Sequence, residues 1–405
     1  MADIRPFCAI RPKNSLASEV AALPYDVYNR QEACKAVKGK PLSFLNIDRA
    51  ETAFDSSVDM YDDCVYQKAH DLLWSQIKEG IYQKDETPCY YLYELTMNGR
   101  VQTGIVACAS VDDYVNGIIK KHENTRAEKE EDRIRHVDAC NAQTGPIFLA
   151  YRADEVLRAI VKKTKKKEPL VDFVSEDGIR HRTFVISDSL DTGIISRSFA
   201  SMDALYIADG HHRAASAVKV GQKRGGEAMY FLSVLFPDDE LMIMDYNRVV
   251  KDLNGMTDTQ FLTAVQEIFD VEKPQKDAFS PSQKGSFSMY LDGLWYLLTV
   301  KEKDKSTDPV EGLDVSLLQN LLLRPLLGIE DPKTDARIDF VGGIRGLGEL
   351  ERRVNTDCKV AFAMYPTSIT ELFAVADAGK LMPPKSTWFE PKLRSGLFIH
   401  AIGEE

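Results

Sequence analysis

Five consecutive positions, Asp209-Gly210-His211-His212-Arg213, bring a carboxylate, a glycine, two imidazoles and a guanidinium together. The apolar run Leu205-Tyr206-Ile207-Ala208 precedes them and reads as a buried strand. Ala214, Ala215, Ala217 and Val218 follow at spacings that keep one helix face apolar. The segment is therefore expected to run strand, turn, helix. Gly210 lets the backbone turn sharply and another molecule approach closely. A helix beginning here offers free N–H groups and the positive end of a dipole, which favour an anion and above all a phosphate. Arg213 adds a planar donor fork that matches phosphate oxygens. This turn is the leading active-site candidate.

Other stretches carry less. No G-x-x-x-x-G-K-[ST] phosphate loop occurs, which argues against a P-loop kinase. Gly342-Gly343-Ile344-Arg345-Gly346-Leu347-Gly348 is glycine-rich, but reads as a tight strand–helix turn. Residues 382–392 are more informative, because prolines fix an extended path while Lys385, Ser386 and Thr387 present a charge and two hydroxyls together. Such a set suits a carboxylate or a phosphate. Glu123, next to His122, stands just before a strongly charged stretch.

The elements that must position these groups follow from periodicity and turn chemistry. Phe7 to Ile10 and Ser43 to Ile47 read as strands, and 58–79 as a helix. Cys89 to Leu95 and Val101 to Ser110 form a hairpin around Asn98-Gly99. Residues 127–136 mix charge signs at helical spacing, which predicts a solvated helix face. Ile147 to Ala150 is a strand, Lys162 to Lys167 an exposed helix end, and 187–199 a helix. Leu170 to Val174 pairs with Arg182 to Ile186, and Ala228 to Phe236 with Leu241 to Tyr246. Beyond Leu253-Asn254-Gly255 come a helix at 257–269, strands at 286–291 and 295–300, and an apolar helix at 315–323. A helix, strand and helix follow at 346–355, 358–365 and 368–378. Three stretches result: an N-terminal α/β region at 1–110, a central region at 111–254, and a C-terminal α/β region at 255–405 holding the loop 382–392.

The 405 residues are 44% apolar and 28% charged, as in an ordinary soluble globular protein. A net charge of −11 opposes a nucleic-acid partner. Seven scattered cysteines without a C-x-x-C pair indicate neither a zinc site nor a disulfide framework, and fit a reducing compartment. No run approaches the roughly 18 apolar residues needed to span a bilayer, and Met1 to Pro6 has no signal core. A cytoplasmic protein without membrane or nucleic-acid partners is expected.

The turn Ile207-Ala208-Asp209-Gly210-His211-His212-Arg213 resembles that of the free L-serine kinases of the ParB/sulfiredoxin-like superfamily. Pro384-Lys385-Ser386-Thr387 resembles their C-terminal substrate loop, and Lys121-His122-Glu123 the segment carrying their catalytic glutamate, with Lys121 in place of a proline. The three motifs keep the same order. Together with Leu23-Pro24-Tyr25-Asp26-Val27-Tyr28, the whole chain also resembles a long-chain family of unknown function related to those kinases. The resemblance implies an α+β protein whose ParB/sulfiredoxin-like nucleotide-binding domain is flanked by α/β regions at both ends. It implies a magnesium-dependent kinase moving a phosphoryl group from ATP or ADP to free L-serine or a similar small metabolite. Glu123 would take the hydroxyl proton, while Gly210, His211, His212 and Arg213 hold the phosphates. Asp209 would serve catalysis and bind magnesium, His211 could act catalytically on developing charge, and Lys385, Ser386 and Thr387 would hold the substrate. The alternative implied by the same superfamily is a nucleotide-binding regulatory switch without kinase activity.

Overall fold

The computed structural model of the chain describes residues 1–403. It is an α+β protein that divides into two compact units, Met1–Leu241 with Pro391–Glu405, and Met242–Glu390. This partition differs from the expected 1–110, 111–254 and 255–405. Strands from both of the first two stretches share one sheet, and the last fifteen residues return to the first unit.

The first unit is organised by a nine-stranded sheet. Its strands are β1 (Ile4–Arg5), β2 (Tyr90–Met97), β3 (Arg100–Ser110), β4 (Ile119–Lys120), β5 (Ile147–Tyr151), β6 (Val171–Val174), β7 (Arg180–Ile186), β8 (Leu205–Asp209) and β9 (Tyr230–Pro237). They lie in the order β4-β8-β5-β9-β3-β2-β7-β6, with β1 beside β3. β8 runs parallel to β4 and antiparallel to β5. The hairpin β2–β3 forms as predicted, with Asn98 and Gly99 at φ 51° and 79°. Those positive angles suit a tight two-residue turn.

Two helices complete the site's scaffold, α1 (Ala127–Cys140) and α2 (His211–Arg224). Ala214, Ala217 and Val218 of α2 join Leu205, Ile207, Ile147 and Leu149 in one buried cluster, so the predicted apolar face is the face that packs on the sheet. On α1 the expected solvated face is present at the exposed Ala127, Glu128 and Glu131, but it does not take up all the charges. Glu130, Asp132, Arg133 and His136 are all buried. Each burial is compensated by a specific partner. Asp132 accepts from Tyr66 Oη at 2.9 Å and pairs with Arg133, whose guanidinium stacks over the Tyr25 ring at 4.0 Å. Glu130 pairs with Lys219 of α2 and accepts from Thr125 Oγ1 at 2.7 Å.

Other departures are local. The apolar stretch at 43–47 forms a short helix, Leu45–Asp48, because a brief buried run has no periodicity to separate the two states. Phe7 makes only an isolated bridge to Cys89, and the strand beside it is Ile10–Pro12. Leu241 to Tyr246 does not pair with β9; within the second unit Ile243–Met244 pairs with Trp388–Phe389.

The second unit holds a six-stranded sheet whose outer members are Phe269–Val271 and Ile338–Gly342. Its helix Asp258–Ile268 starts on a Thr257–Gln260 capping box, as the periodicity from 257 led one to expect. The glycine-rich stretch after Ile338–Gly342 is a close-packing device: a Cβ on Gly343 would sit 2.0 Å from Asp245 Oδ1, and one on Gly342 3.0 Å from the Trp388 ring. That bears out the tight turn rather than a phosphate loop.

Candidate active site at the end of a bulged strand

The Asp209 turn is shaped by an irregularity in β8. Ile207 pairs with Leu149, but the next pair is Asp209 with Phe148, so Ala208 is an extra residue. A bulge of this kind bends a strand and re-aims the side chains after it. It therefore sets the direction of Asp209 at the very end of the strand. Gly210 follows at φ +91°, ψ 33° and serves as the N-cap of α2. No side chain caps the helix, so the first-turn N–H groups are not consumed by one.

Glu123 is brought here by strand pairing. Leu205 and Tyr206 of β8 pair in parallel with Ile119 and Lys120 of β4. The chain leaving β4 thus emerges beside the end of β8. His122 is buried, and its ring meets the His211 ring edge-to-face with centroids 4.4 Å apart. The His122 backbone N–H donates to His211 Nε2 at 3.5 Å, which places the His211 proton on Nδ1. That nitrogen faces Glu123 Oε2 at 3.7 Å, longer than a hydrogen bond. Glu123 itself is about half exposed, with 45% of its side-chain surface accessible.

His211 is neutral at ordinary pH. Burial and the neighbouring His122 push its pKa well below the usual histidine value, against the pull of Asp209. Its Nε2 accepts from the His122 backbone and its Nδ1 is turned to Glu123. His212 accepts from the Arg126 backbone N–H through Nε2 at 3.0 Å, fixing the start of α1. Its pKa is also lowered, chiefly by burial.

Asp209 is faced by two cations. Lys392 Nζ lies 3.2 Å and Arg213 Nη2 3.8 Å from its Oδ2. Burial alone would raise the carboxyl pKa, but these two charges outweigh it and hold Asp209 well below the usual carboxylate range. Arg213 also donates through Nη1 to the Pro146 carbonyl, while its Nε is buried without a partner. Beneath it, Tyr25, Asp48, Arg133, Thr144 and Ser395 line a small polar cavity. The loop at 23–28 thus belongs to the surroundings of the turn.

Magnesium finds no ready-made seat. Among the described residues no group of three or more His, Cys, Asp and Glu side chains is placed to hold a metal ion. Asp209 is one carboxylate already faced by two cations, so the residues present do not fit a metal site at this position.

Lys385, Ser386 and Thr387 belong to the second unit. Lys385 is exposed and takes φ 60°; its carbonyl accepts from Arg248 Nη2 at 3.0 Å. Ser386 is buried and spends its hydroxyl on the Pro383 carbonyl at 2.6 Å. The first unit contributes a different lysine from the same proline-rich stretch, Lys392. Neither Lys392 nor His122 stood out as a site residue in the sequence. The available signals were their positions, one beside Glu123 and one ending the run 382–392.

Comparison with known proteins supplies a family. The chain matches the family DUF1015, "Protein of unknown function", over residues 4–316, and it belongs to that family. No curated protein matches it. Among solved structures it is similar to SbnI with a C-terminal truncation from Staphylococcus aureus, at 12% identity and a TM-score of 0.39, covering 73% of this chain and 87% of that one. It is similar to a free serine kinase in complex with AMP, at 15% identity and TM-score 0.36, covering 73% and 91%. A conserved hypothetical protein from Pyrococcus furiosus matches at 14% identity and TM-score 0.34, covering 75% and 97%. No helix among the described residues is long and apolar enough to cross a membrane.

Proposed function

We propose that this member of the DUF1015 family is a small-molecule kinase, transferring a phosphoryl group from ATP or ADP to the hydroxyl of free L-serine or a similar metabolite. The observation that carries the reading is the parallel β4–β8 pairing, which sets Glu123 against His211 one residue past the phosphate-friendly turn. A carboxylate, an uncapped helix start and a guanidinium then stand within one short stretch of surface. The resemblance of the Asp209–Arg213, Glu123 and Lys385–Thr387 motifs to the free serine kinases supports the same reading.

The chemistry needs little covalent help from the protein. The acceptor oxygen forms a bond to the transferred phosphorus, the bond from that phosphorus to the leaving ADP or AMP breaks, and the hydroxyl proton goes to Glu123 Oε. Phosphate oxygens take the first-turn N–H groups of α2 and the Arg213 fork. His211, neutral, lies beside the glutamate with Nδ1 3.7 Å from its Oε2.

A coupled assay with purified protein, nucleotide, magnesium and L-serine tests this. Wild type is expected to form O-phosphoserine, and Glu123→Gln to lower kcat by about 100-fold or more while nucleotide affinity changes little. Product formation undiminished in that variant removes Glu123 from the mechanism.

A further inference from the structure

We propose that a cavity in the first unit, walled by residues from 18–45, the turn between β6 and β7 and Arg394, is a binding site for a small organic amine. Its volume is about 470 Å³. That lies within the range of small-molecule sites and far above the voids that ordinary packing leaves. It is separate from the Asp209 turn. Tyr25 and Ser395 line the small polar cavity beneath Arg213, whereas Leu23, Tyr28 and Arg394 line this one. No lining residue belongs to the turn, so the proposal stands whether or not the kinase reading does.

The walls are braced. Arg49 donates to the Tyr25 and Tyr28 carbonyls at 2.9 and 2.6 Å and pairs with Glu51, which fixes the loop bearing Tyr28. Asn46 Nδ2 donates to the Lys40 and Ser43 carbonyls at 2.9 and 3.0 Å, which fixes the turn at 40–43. Arg394 is buried and donates to Ser175, Asp177 and His181. A site held in this way needs little ordering on binding. The groups that line it define the ligand. Both cations of the lining are already spent, Arg394 on Asp177 and Lys40 on Glu176 at 2.6 Å. Glu19 is an exposed carboxylate with no cation in ion-pair range among the described residues. Its charge is therefore the one left over. Ser43 is only 8% exposed, and neither its hydroxyl nor that of Tyr28 has a hydrogen-bond partner among the described residues. Buried hydroxyls are ordinarily bonded, so these two are available to a ligand. Ala21, Ala22, Ala36 and Leu42 supply an apolar wall. An ammonium group satisfies Glu19, its carbon chain lies along that wall, and hydroxyls or further amines meet Ser43 and Tyr28. An anion finds no unpaired cation.

Titration calorimetry of the full chain tests this, with putrescine, spermidine and glucosamine as amines and with glucose, succinate and inorganic phosphate as uncharged and anionic counterparts. At least one amine should bind, one molecule per chain, and no counterpart should bind as tightly. Glu19→Gln should weaken that amine about 10-fold or more, the loss associated with one charge-assisted hydrogen bond. Tyr28→Phe and Ser43→Ala should each weaken it about 2- to 10-fold, as for a neutral hydrogen bond. Lys40→Met removes a cation and should leave the amine bound at least as tightly. Glu19 is exposed, so its variant separates binding from folding, and thermal melts show that each variant is folded. Failure of every amine to bind, tighter binding of glucose, succinate or phosphate, or wild-type amine affinity in folded Glu19→Gln overturns the proposal. Amine affinity unchanged in both Tyr28→Phe and Ser43→Ala assigns the binding to the net charge of −11 and overturns it as well.

Discussion

His211 has both ring nitrogens committed, one accepting from the His122 backbone and one turned to Glu123. Its neighbour Gly210 carries a different burden, a left-handed φ of +91° with Arg213 Nε 3.0 Å from where a Cβ would stand. Gly210→Ala should therefore destabilise the chain by about 1–2 kcal/mol through backbone strain and displace the guanidinium, weakening nucleotide binding. Urea melts and calorimetry check the two effects separately. In the second unit, Asp314 is buried, accepts from the Gly285 N–H at 2.9 Å through Oδ1, and has no partner for Oδ2. Burial pushes its pKa up to about 7, against the pull of that N–H. A carboxyl whose pKa rises on folding costs stability as pH climbs from its unfolded value of 3.8 through about 7. Asp314→Asn should thus stabilise the protein by about 1–3 kcal/mol at pH 8, with the gain shrinking toward pH 4. A gain independent of pH would contradict the assignment. At this scale the sequence exposes residue chemistry well, as the Asp209–Arg213 run shows. It conceals direction: nothing in the order of residues says that His211 faces a glutamate or that Lys392 reaches Asp209.

Elements decide those directions. The extra residue Ala208 in β8 and the two-residue strand β4 together bring Asp209 and Glu123 to one end of the sheet. The strand and helix on either side of the turn were legible from apolar runs and 3.6-residue spacing. The bulge was not, because no glycine or proline marks it, and β4 is too short to carry a period. α1 shows the opposite failure. Its alternating charges read as a solvated face, yet Asp132, Arg133 and His136 are buried against the N-terminal loop and the helix Leu45–Asp48, where His136 Nε2 lies 3.2 Å from the Ile47 carbonyl. Pattern alone cannot separate a surface ion network from an internal one, because both alternate in sign. Arg133→Ala removes the partner of Asp132 and the cation over Tyr25. It should cost about 3–5 kcal/mol, as expected when one member of a buried pair is lost. Denaturant melts within 1 kcal/mol of wild type would place α1 at the surface after all.

Across the whole chain, titration gives a collective signature. Burial lowers the pKa of His122 from 6.5 to about 4, and burial with Arg394 nearby lowers that of His181 to about 3. A histidine kept neutral by folding binds its proton first in the unfolded state. Its stabilising contribution is full above pH 6.5 and is lost as pH falls toward the folded value. Each such group adds a slope of about 1.4 kcal/mol per pH unit inside that window. The urea midpoint should fall steeply between pH 6.5 and pH 4, and a flat profile there would mean these rings are solvated. The division of the chain was the least legible feature. A composition shift near Leu253 suggested a boundary, but the contacts place it at 241/242 and return 391–405 to the first unit. Long-range pairing of that sort leaves no local mark in sequence. The proposed kinase function rests on one point, that Glu123 and the Asp209 turn act as a single phosphoryl-transfer site. The most direct measurement is phosphorus NMR of purified protein with ATP or ADP, magnesium and L-serine or a panel of small hydroxy acids and alcohols. The account predicts a new phosphomonoester resonance that depends on Glu123 and Arg213. Nucleotide left intact with every acceptor would contradict it.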